Sequence, residues 1–302
     1  MHSKLETMHK TVYYAVAGLG LELQVPQTFN LDVILPSFTD FKSQFSEEIP
    51  IISRVEVSYN ELSYDLKEAK LLSDISNFWQ DRFKFYEYGD QYLTILKSED
   101  GQFEWSMLSS KDFKKVRIKA ANFNKYKENV LTWFLMVIFA QAALSENTIL
   151  IHASVVENGL NAFAFLGKSG TGKSTHSRLW LENIPGFSLL NDDNPAIRLI
   201  NGEVYIFGTP WSGKTACYRN EKRKLAGFVR LKQGPQNAIT FMQNTDKLIS
   251  VLPSCSAIRW NADLFSSMTD ILIQIVQIIP IANLVCLPNA EAASLSYTNL
   301  ST

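Results

Sequence analysis

The first third of the chain consists of short runs in which hydrophobic and polar residues alternate. Most of the hydrophobic residues are β-branched or aromatic, and Gly, Asn, Asp and Ser separate the runs. Alternation with a period of two gives a strand one hydrophobic and one polar face, so the pattern predicts β-strands. The predicted strands are YYAVAGLGLELQV, RVEVSY, RFKFYEYGD, QYLTILKS, FEWSML and KVRIKA. Residues 66–78 are expected to add a helix.

A long segment without this alternation follows, and we predict one helix over residues 124–148. Its apolar part is VLTWFLMVIFAQAAL, residues 130–144. A bilayer-spanning helix needs about 20 apolar residues. Because this run is shorter and contains Gln141, we expect a buried helix of a globular protein.

Hairpins and helices are predicted in the remainder. Asn-Gly pairs at 158–159 and 201–202 each lie between two hydrophobic runs, the pattern of a tight hairpin. The run FSLLNDDN predicts a buried strand that ends in two carboxylates. An amphipathic helix at 263–279, a strand ANLVCL and a short helix PNAEAASL complete the pattern.

This order of elements predicts an α/β (α+β) protein. We expect a β-rich N-terminal module over residues 1–123 and a second domain over 124–302. The two hairpins make the sheet of the second domain mixed and largely antiparallel.

Composition narrows the function classes. The 302 residues include 29 basic and 30 acidic ones, so neither nucleic acid nor an anionic membrane is the expected partner. The three cysteines have no metal-ligand spacing, and the N-terminus lacks the apolar core of a signal peptide. We therefore expect a cytoplasmic protein with reduced thiols.

One motif suggests specific chemistry. The segment GKSGTGKST, residues 167–175, matches the phosphate-loop pattern GxxxxGK[ST] and lies between a predicted strand and a predicted helix. Glycines let the backbone fold around an anion, and the helix that follows adds the positive end of its dipole. Lys173 would reach the β- and γ-phosphates, and the Ser174 hydroxyl would bind Mg²⁺. The alternative is a Gly-rich strand-to-helix turn without a ligand.

The NDDN segment is the candidate source of the carboxylates. Asp192 and Asp193 follow Lys173 by 19 and 20 residues, which suits a strand that returns beside the loop strand. Adjacent carboxylates repel unless a cation or a shared proton is present. The pair is explained if one aspartate binds the metal and the other acts as a base. The alternative is that both belong to a turn that opens the next hairpin.

Four segments together resemble the C-terminal catalytic domain of HPr kinase/phosphorylase and its relatives, which share a fold with ATP-dependent phosphoenolpyruvate carboxykinase. The segments are IHAS with His152, GKSGTGKST, NDDN and FGTPWSGK, and the resemblance covers about residues 149–290. It implies that Ser174 and Asp192 hold Mg²⁺, that Asp193 is the general base and that His152 is catalytic. A hydrogen-bonded core histidine is the alternative for His152. The residues implied to bind ATP are Gly167, Lys168, Ser169, Gly170, Thr171, Gly172, Lys173, Ser174 and Thr175.

Two further segments are weaker candidates. In FGTPWSGK, the residues Thr209, Trp211, Ser212 and Lys214 are interpreted as an acceptor-binding or phosphate-clamping loop, with a structural turn as the alternative. Downstream lies a basic stretch, from which Arg219 is the weak candidate to stabilise charge on the transferring phosphoryl group. A solvated helix face is expected for most of that stretch, whose members are Arg219, Lys222, Arg223, Lys224 and Arg230.

The sequence thus favours an ATP- and Mg²⁺-dependent kinase that acts on a serine-type hydroxyl of a small molecule, peptide or protein. The expected partners are ATP and this unidentified acceptor, and the resemblance leaves a homo-oligomer open. An ATP-binding regulatory or peptide-maturation accessory protein is the alternative. A phosphoenolpyruvate carboxykinase is disfavoured because no oxaloacetate site is found.

Overall fold

The computed structural model describes residues 8–76, 79–121, 127–213 and 215–301. Two compact units divide the chain. The first comprises residues 1–142 with 259–261, and the second comprises 143–258 with 262–302. The predicted boundary after residue 123 stays a prediction.

The first unit contains a nine-stranded mixed sheet with the strand order β3-β1-β2-β4-β9-β8-β7-β6-β5. β4 runs parallel to both of its neighbours, and the other pairs are antiparallel. Its strands are β1 (His9–Val16), β2 (Leu19–Pro26), β3 (Lys42–Ser43), β4 (Ile51–Ser58), β5 (Lys70–Ser73), β6 (Phe83–Tyr88), β7 (Gln91–Lys97), β8 (Glu104–Ser110) and β9 (Lys115–Lys119). Its helices are α1 (Leu31–Ile34) and α2 (Lys127–Ala142), with 3₁₀ turns at Pro36–Phe41 and Gln80–Arg82. The β-rich prediction is confirmed.

Two helix predictions change. The helix expected at 66–78 is wrong over its described part, because Lys70–Ser73 pairs with β6 as an edge strand. Cross-strand pairing has overridden the helical preference of this segment. The long helix ends at Ala142 and continues as the 3₁₀ turn Ala143–Glu146. Residues 122–126, where it was expected to begin, lie outside the described residues.

The second unit contains another nine-stranded mixed sheet, with the order β10-β14-β15-β16-β12-β11-β13. β18 adds to β16, and β17 adds to β18. Its strands are β10 (Thr148–Leu150), β11 (Ala153–Glu157), β12 (Asn161–Leu166), β13 (Ser188–Asp193), β14 (Ala196–Ile200), β15 (Glu203–Phe207), β16 (Lys222–Gln233), β17 (Ala238–Phe241) and β18 (Ile281–Cys286). Its helices are α3 (Lys173–Asn183), α4 (Asn244–Val251), α5 (Ala262–Ile278) and α6 (Ala290–Leu300), with a 3₁₀ turn at Leu252–Ser254. Both predicted hairpins are present.

Strand directions bring the candidate segments to one edge of this sheet. β12, β16 and β18 are mutually parallel, and β13 runs the same way because β11 is antiparallel to both β12 and β13. Four strand ends and the start of β11 therefore lie along one edge, which we call the site edge.

Each face of the sheet has its own core. On the α5 face, Ile275 and Leu272 pack with Phe228 of β16. On the α3 face, Trp180 and Ala293 pack with Val229 of β16. None of the helices in the described ranges has the length and apolar character needed to cross a bilayer.

The central strand β16 was missed in the sequence. Its residues Lys222, Arg223, Lys224 and Arg230 were interpreted mostly as a solvated helix face, which is wrong. The strand places most of its charges towards its ends, and its middle is buried at Leu225 and from Gly227 to Val229. The middle of this twelve-residue strand is buried because β12 pairs with most of the length of β16, while β15 and β18 each pair with one of its ends.

Candidate active site

The loop between β12 and α3, residues 167–172, folds back tightly on itself. Gly167 is buried and lies so close to Thr171 that an added Cβ would come within 2.2 Å of the Thr171 Oγ1. The Thr171 hydroxyl and N–H both donate to the Lys168 carbonyl, at 2.7 and 3.1 Å. A side chain at position 167 would therefore break the turn.

The loop ends at the N-terminus of α3. Its N-cap residue is Gly172, whose φ of 102° is disfavoured for any residue with a Cβ. Gly172 offers no side chain to accept a hydrogen bond from the first turn. The first N–H groups of a helix have no intrahelical partner and carry partial positive charge, so this end of α3 can hold an anion.

Three side chains form a hydrogen-bonded chain beside the loop. The Lys173 Nζ lies 2.9 Å from the His152 Nε2, and the His152 Nδ1 lies 2.8 Å from the Asp193 Oδ1. A lysine ammonium can only donate, so the His152 Nε2 accepts and its Nδ1–H donates to Asp193. The Lys173 Nζ also donates to the Gly167 carbonyl at 3.2 Å. Sequence segments that lie 20 and more residues apart thus meet at the site edge.

The environment of Lys173 is partly apolar. Burial lowers the pKa of Lys173, while the carboxylates of Asp193 and Asp192 counteract this effect and the charge of Arg230 adds to it. A half-buried ammonium ion with neighbouring charges of both signs is typical of functional sites.

The second carboxylate has a different partner. The Ser174 hydroxyl donates to the Asp192 Oδ1 at 2.9 Å. A hydroxyl and a carboxylate are hard oxygen ligands, which Mg²⁺ prefers together with phosphate oxygens. Within the described residues, no group of three His, Cys, Asp or Glu side chains forms a metal cage. Ser174 and Asp192 supply two oxygen ligands, a set that fits a magnesium ion whose other ligands come from phosphate.

Two buried amides hold Asp193 in place, and the sequence drew attention to them only as members of the NDDN segment. The Asn191 side chain donates to the Thr209 and Trp211 carbonyls, each at 3.3 Å, and accepts from the Asp193 N–H at 3.0 Å. The Asn194 amide donates to the Asp193 Oδ2 at 2.8 Å. Their only sequence signal is their position on either side of the aspartate pair.

The FGTPWSGK segment lies against these aspartates. Thr209 is fully buried and donates to the Asn194 carbonyl, and Trp211 is 3% exposed. Their burial favours a structural turn over contact with an acceptor. The backbone of Ser212 pairs with that of Asp193, and its hydroxyl donates to the Thr215 carbonyl at 2.6 Å. Lys214 lies outside the described residues.

Arg219 is not brought to the site edge. It donates to Glu157, Glu221 and the Leu189 carbonyl, near the start of β13. Five residues of extended strand separate Ser188, the first residue of β13, from Asp193, which is roughly 17 Å. The cation that does lie near Lys173 is Arg230, which the sequence placed only within the basic stretch.

A cavity of about 490 Å³ opens beside the loop on the α3 face. Gly170, Thr171 and Thr175 border it on one side, and the apolar groups Leu179 and Leu231 border it on another. Lys168 and Ser169 are exposed on the outer part of the loop. A ligand that binds the loop therefore has room for a larger apolar group next to it.

Comparisons with known proteins give little further information. No protein-family model matches the sequence, and no curated protein matches it. Among solved structures, the chain is similar to the Hpr(Ser) kinase/phosphatase from Coxiella burnetii, with 12% identity and a TM-score of 0.29. That match covers 49% of this chain and 86% of the other. A likeness this weak shows neither a shared activity nor a shared site.

Proposed function

We propose that the protein is an ATP- and Mg²⁺-dependent kinase that transfers the γ-phosphate of ATP to a hydroxyl group. One observation carries the proposal. Lys173 and Ser174, the first two residues after the loop, contact the two carboxylates at the end of β13, Lys173 through His152 and Ser174 directly.

The loop would hold the phosphates. Its glycine-rich backbone, the uncapped first turn of α3 and the Lys173 ammonium together provide N–H groups and positive charge. When ATP binds, we expect Lys173 to move from His152 to the β- and γ-phosphates. The cavity on the α3 face, next to Thr175, would take the base and sugar.

Ser174 and Asp192 would provide the protein ligands of the magnesium ion. When bound, Mg²⁺ neutralises charge on the phosphate oxygens, and this supplies much of the catalysis of phosphoryl transfer. Asp192 is mostly buried, which keeps its carboxylate in a fixed position.

Asp193 would accept the proton of the acceptor hydroxyl. The acceptor oxygen forms a bond to the γ-phosphorus, the bond from that phosphorus to the bridging oxygen breaks, and its electron pair leaves with ADP. His152 and Asn194 orient the Asp193 carboxylate through one hydrogen bond to each of its oxygens. Such fixed orientation is what general-base catalysis requires.

An ATP-binding accessory protein without turnover is the second candidate. It would need the loop and Lys173, but it has no use for a second, separately oriented carboxylate. The hydrogen bonds that fix Asp193 therefore favour the kinase.

The test uses ATP labelled at the γ-phosphate and a pool of metabolites and peptides. We expect Lys173→Ala to weaken ATP binding and abolish transfer. Asp193→Asn should keep ATP binding and lower transfer at least about 100-fold. The matched control is Lys224→Ala, which removes a lysine at the opposite end of the sheet from the site edge.

Two results would contradict the proposal. Unchanged transfer by Asp193→Asn would exclude Asp193 as the base. ATP binding that depends on Lys173, without transfer to any compound of the pool, would support the accessory protein instead.

A further inference from the structure

A row of polar side chains crosses three strands next to the site edge. Arg230 of β16 pairs with Asn283 of β18, which pairs with Thr240 of β17. Directly paired residues point to the same face of a sheet. The neighbours of Arg230 along the strand, Val229 and Leu231, belong to the core of the α3 face, so the row lies on the α5 face.

This row borders a shallow cavity of about 560 Å³ that is open to solvent, and α4 borders it on the other side. The cavity lies across the sheet from the one beside the loop, because Leu231 contributes to that cavity and Arg230 to this one. An acceptor bound here would approach the site edge from the opposite face to the nucleotide.

Arg230 is a half-buried cation with few partners. Its Nη1 donates to the Ser254 hydroxyl at 3.2 Å, and among the described residues no carboxylate forms an ion pair with it. A guanidinium has five N–H donors in a fork that matches a carboxylate. The side chain is therefore suited to an anionic ligand group, and the described part of the chain places no carboxylate in an ion pair with it.

Ser254 connects Arg230 with the candidate catalytic residues. Its hydroxyl accepts from Arg230, and its carbonyl accepts from the His152 N–H at 2.7 Å. In addition, Arg230 pairs across the sheet with Leu166, the residue before Gly167. Ser254 thus links Arg230 with the backbone of His152, on the side of the sheet where Arg230 borders the cavity.

Helix α4, which forms the other wall of the cavity, carries a negative charge there. Asp246, in the first turn of α4, is exposed and borders the cavity. It forms no ion pair with Arg230 in the described structure, although both border the cavity. Separated charges of opposite sign match a molecule that carries both a carboxylate and an ammonium group.

We propose that this cavity binds the acceptor and that the acceptor is a hydroxy amino acid. Arg230 would hold its carboxylate, Asp246 would attract its ammonium group, and its side-chain hydroxyl would face Asp193. The inference rests on the proposed kinase function and adds the chemical class of the acceptor.

The test compares matched acceptors in the presence of saturating ATP and Mg²⁺. L-serine, L-homoserine and L-tyrosine are each paired with their carboxamide, which keeps the hydroxyl and removes the negative charge. We expect at least one acid to be phosphorylated and its amide to be at least about 100-fold poorer in kcat/KM, the effect of leaving the half-buried Arg230 cation unpaired. ADP release and transfer of labelled phosphate are the measurements.

Variants of Arg230 then test whether the preference for the acid over the amide depends on this cavity. Arg230→Met should remove the preference for the acid, and Arg230→Lys should restore part of it. The control is Lys232→Met, because Lys232 is an exposed cation two residues along the same strand that does not border the cavity.

Several outcomes would overturn the inference. Amides that react as well as acids, or an acid preference that survives Arg230→Met, would exclude Arg230 as the carboxylate ligand. No transfer to any of the six compounds, by a protein that binds ATP through Lys173, would exclude a hydroxy amino acid acceptor. That result would leave the kinase proposal standing, whereas the absence of Lys173-dependent ATP binding would contradict the kinase itself.

Discussion

Gly167 and Gly170 of the candidate phosphate loop each require glycine, for two different reasons. At Gly167 the requirement is space, because an added Cβ would come within 2.2 Å of the Thr171 Oγ1. At Gly170 the requirement is conformation, because φ is 81° and an added Cβ would meet nothing within 4 Å. A substitution at Gly167 therefore tests whether the tight turn is needed, whereas a substitution at Gly170 tests the cost of the left-handed backbone.

Alanine substitutions at these two glycines should have unequal effects. Gly167→Ala must displace Thr171 and break its hydrogen bond to Lys168, so we expect ATP affinity to fall by at least about tenfold, which is 1.4 kcal/mol. Gly170→Ala should lower the free energy of unfolding by about 1 kcal/mol, the cost of a left-handed backbone, with a smaller effect on ATP. Titration calorimetry with ATP and urea unfolding measure both. Equal ATP affinities for the two variants would mean that the tight turn is not needed for binding.

Part of the candidate site could be predicted from the sequence motif alone. The loop, Lys173, Ser174 and the aspartate pair follow from a motif whose spacing has a chemical reason. Arg230 could not be selected from the five basic residues of its stretch, because only strand pairing decides which one reaches the site edge.

Helices α3 and α6 are joined by a buried polar network. The Trp180 Nε1 donates to the Ser296 Oγ at 2.9 Å, and the His176 Nε2 lies 3.0 Å from the same oxygen. His176 is only 2% exposed, and burial lowers its pKa to about 4. The helix that follows the candidate phosphate loop is thus anchored by a neutral histidine.

This network makes stability depend on pH. Between pH 6.5 and about 4 the unfolded chain binds a proton at His176 that the folded chain does not, so the free energy of unfolding falls as the pH falls. The loss should reach about 2 kcal/mol at pH 5. Urea unfolding at pH 7 and pH 5 measures it. His176→Gln should abolish this part of the dependence, and His9→Gln, which alters an exposed residue of β1, should keep it. The same slope in His176→Gln as in the unmodified protein would contradict the assignment.

Helices and strands whose own residues carry a strong signal could be predicted from the sequence. Strands whose conformation depends on pairing with neighbouring strands could not. Both Asn-Gly hairpins are present because the turn residues fix the pairing. The strand Lys70–Ser73 and the charged central strand β16 take their conformation from neighbouring strands, which no local pattern reveals.

In the second unit, the two ends of the sheet have separate roles. The site edge carries the candidate active site, and the other end is closed by a cluster of ion pairs. There, the buried Glu157 carboxylate accepts from Arg223 at 2.5 Å, from Arg219 at 2.8 Å and from Ser188 at 2.6 Å. Burial alone would raise the pKa of Glu157, but these hydrogen bonds and one from the Gly159 N–H lower it to about 2. This cluster joins β11, β13 and β16 at the end of the sheet away from Lys173, Asp192 and Asp193, and it includes Arg219.

Removing the Glu157 charge should therefore affect stability without affecting ATP binding. Because the folded-state pKa lies below the usual value of 4.5, the stabilisation is present above pH 4.5 and is lost as the pH falls towards 2. We expect Glu157→Gln to lower the free energy of unfolding at pH 7 by roughly 3 kcal/mol and to remove this acid-dependent loss. Its ATP affinity at 25 °C should be unchanged, since roughly 17 Å of strand separates this end from Asp193. Glu203→Gln, which breaks an exposed pair with Lys224, should change neither quantity measurably. If Glu157→Gln weakened ATP binding in the folded protein, the two ends of the sheet would be coupled, and the candidate site would extend beyond the site edge.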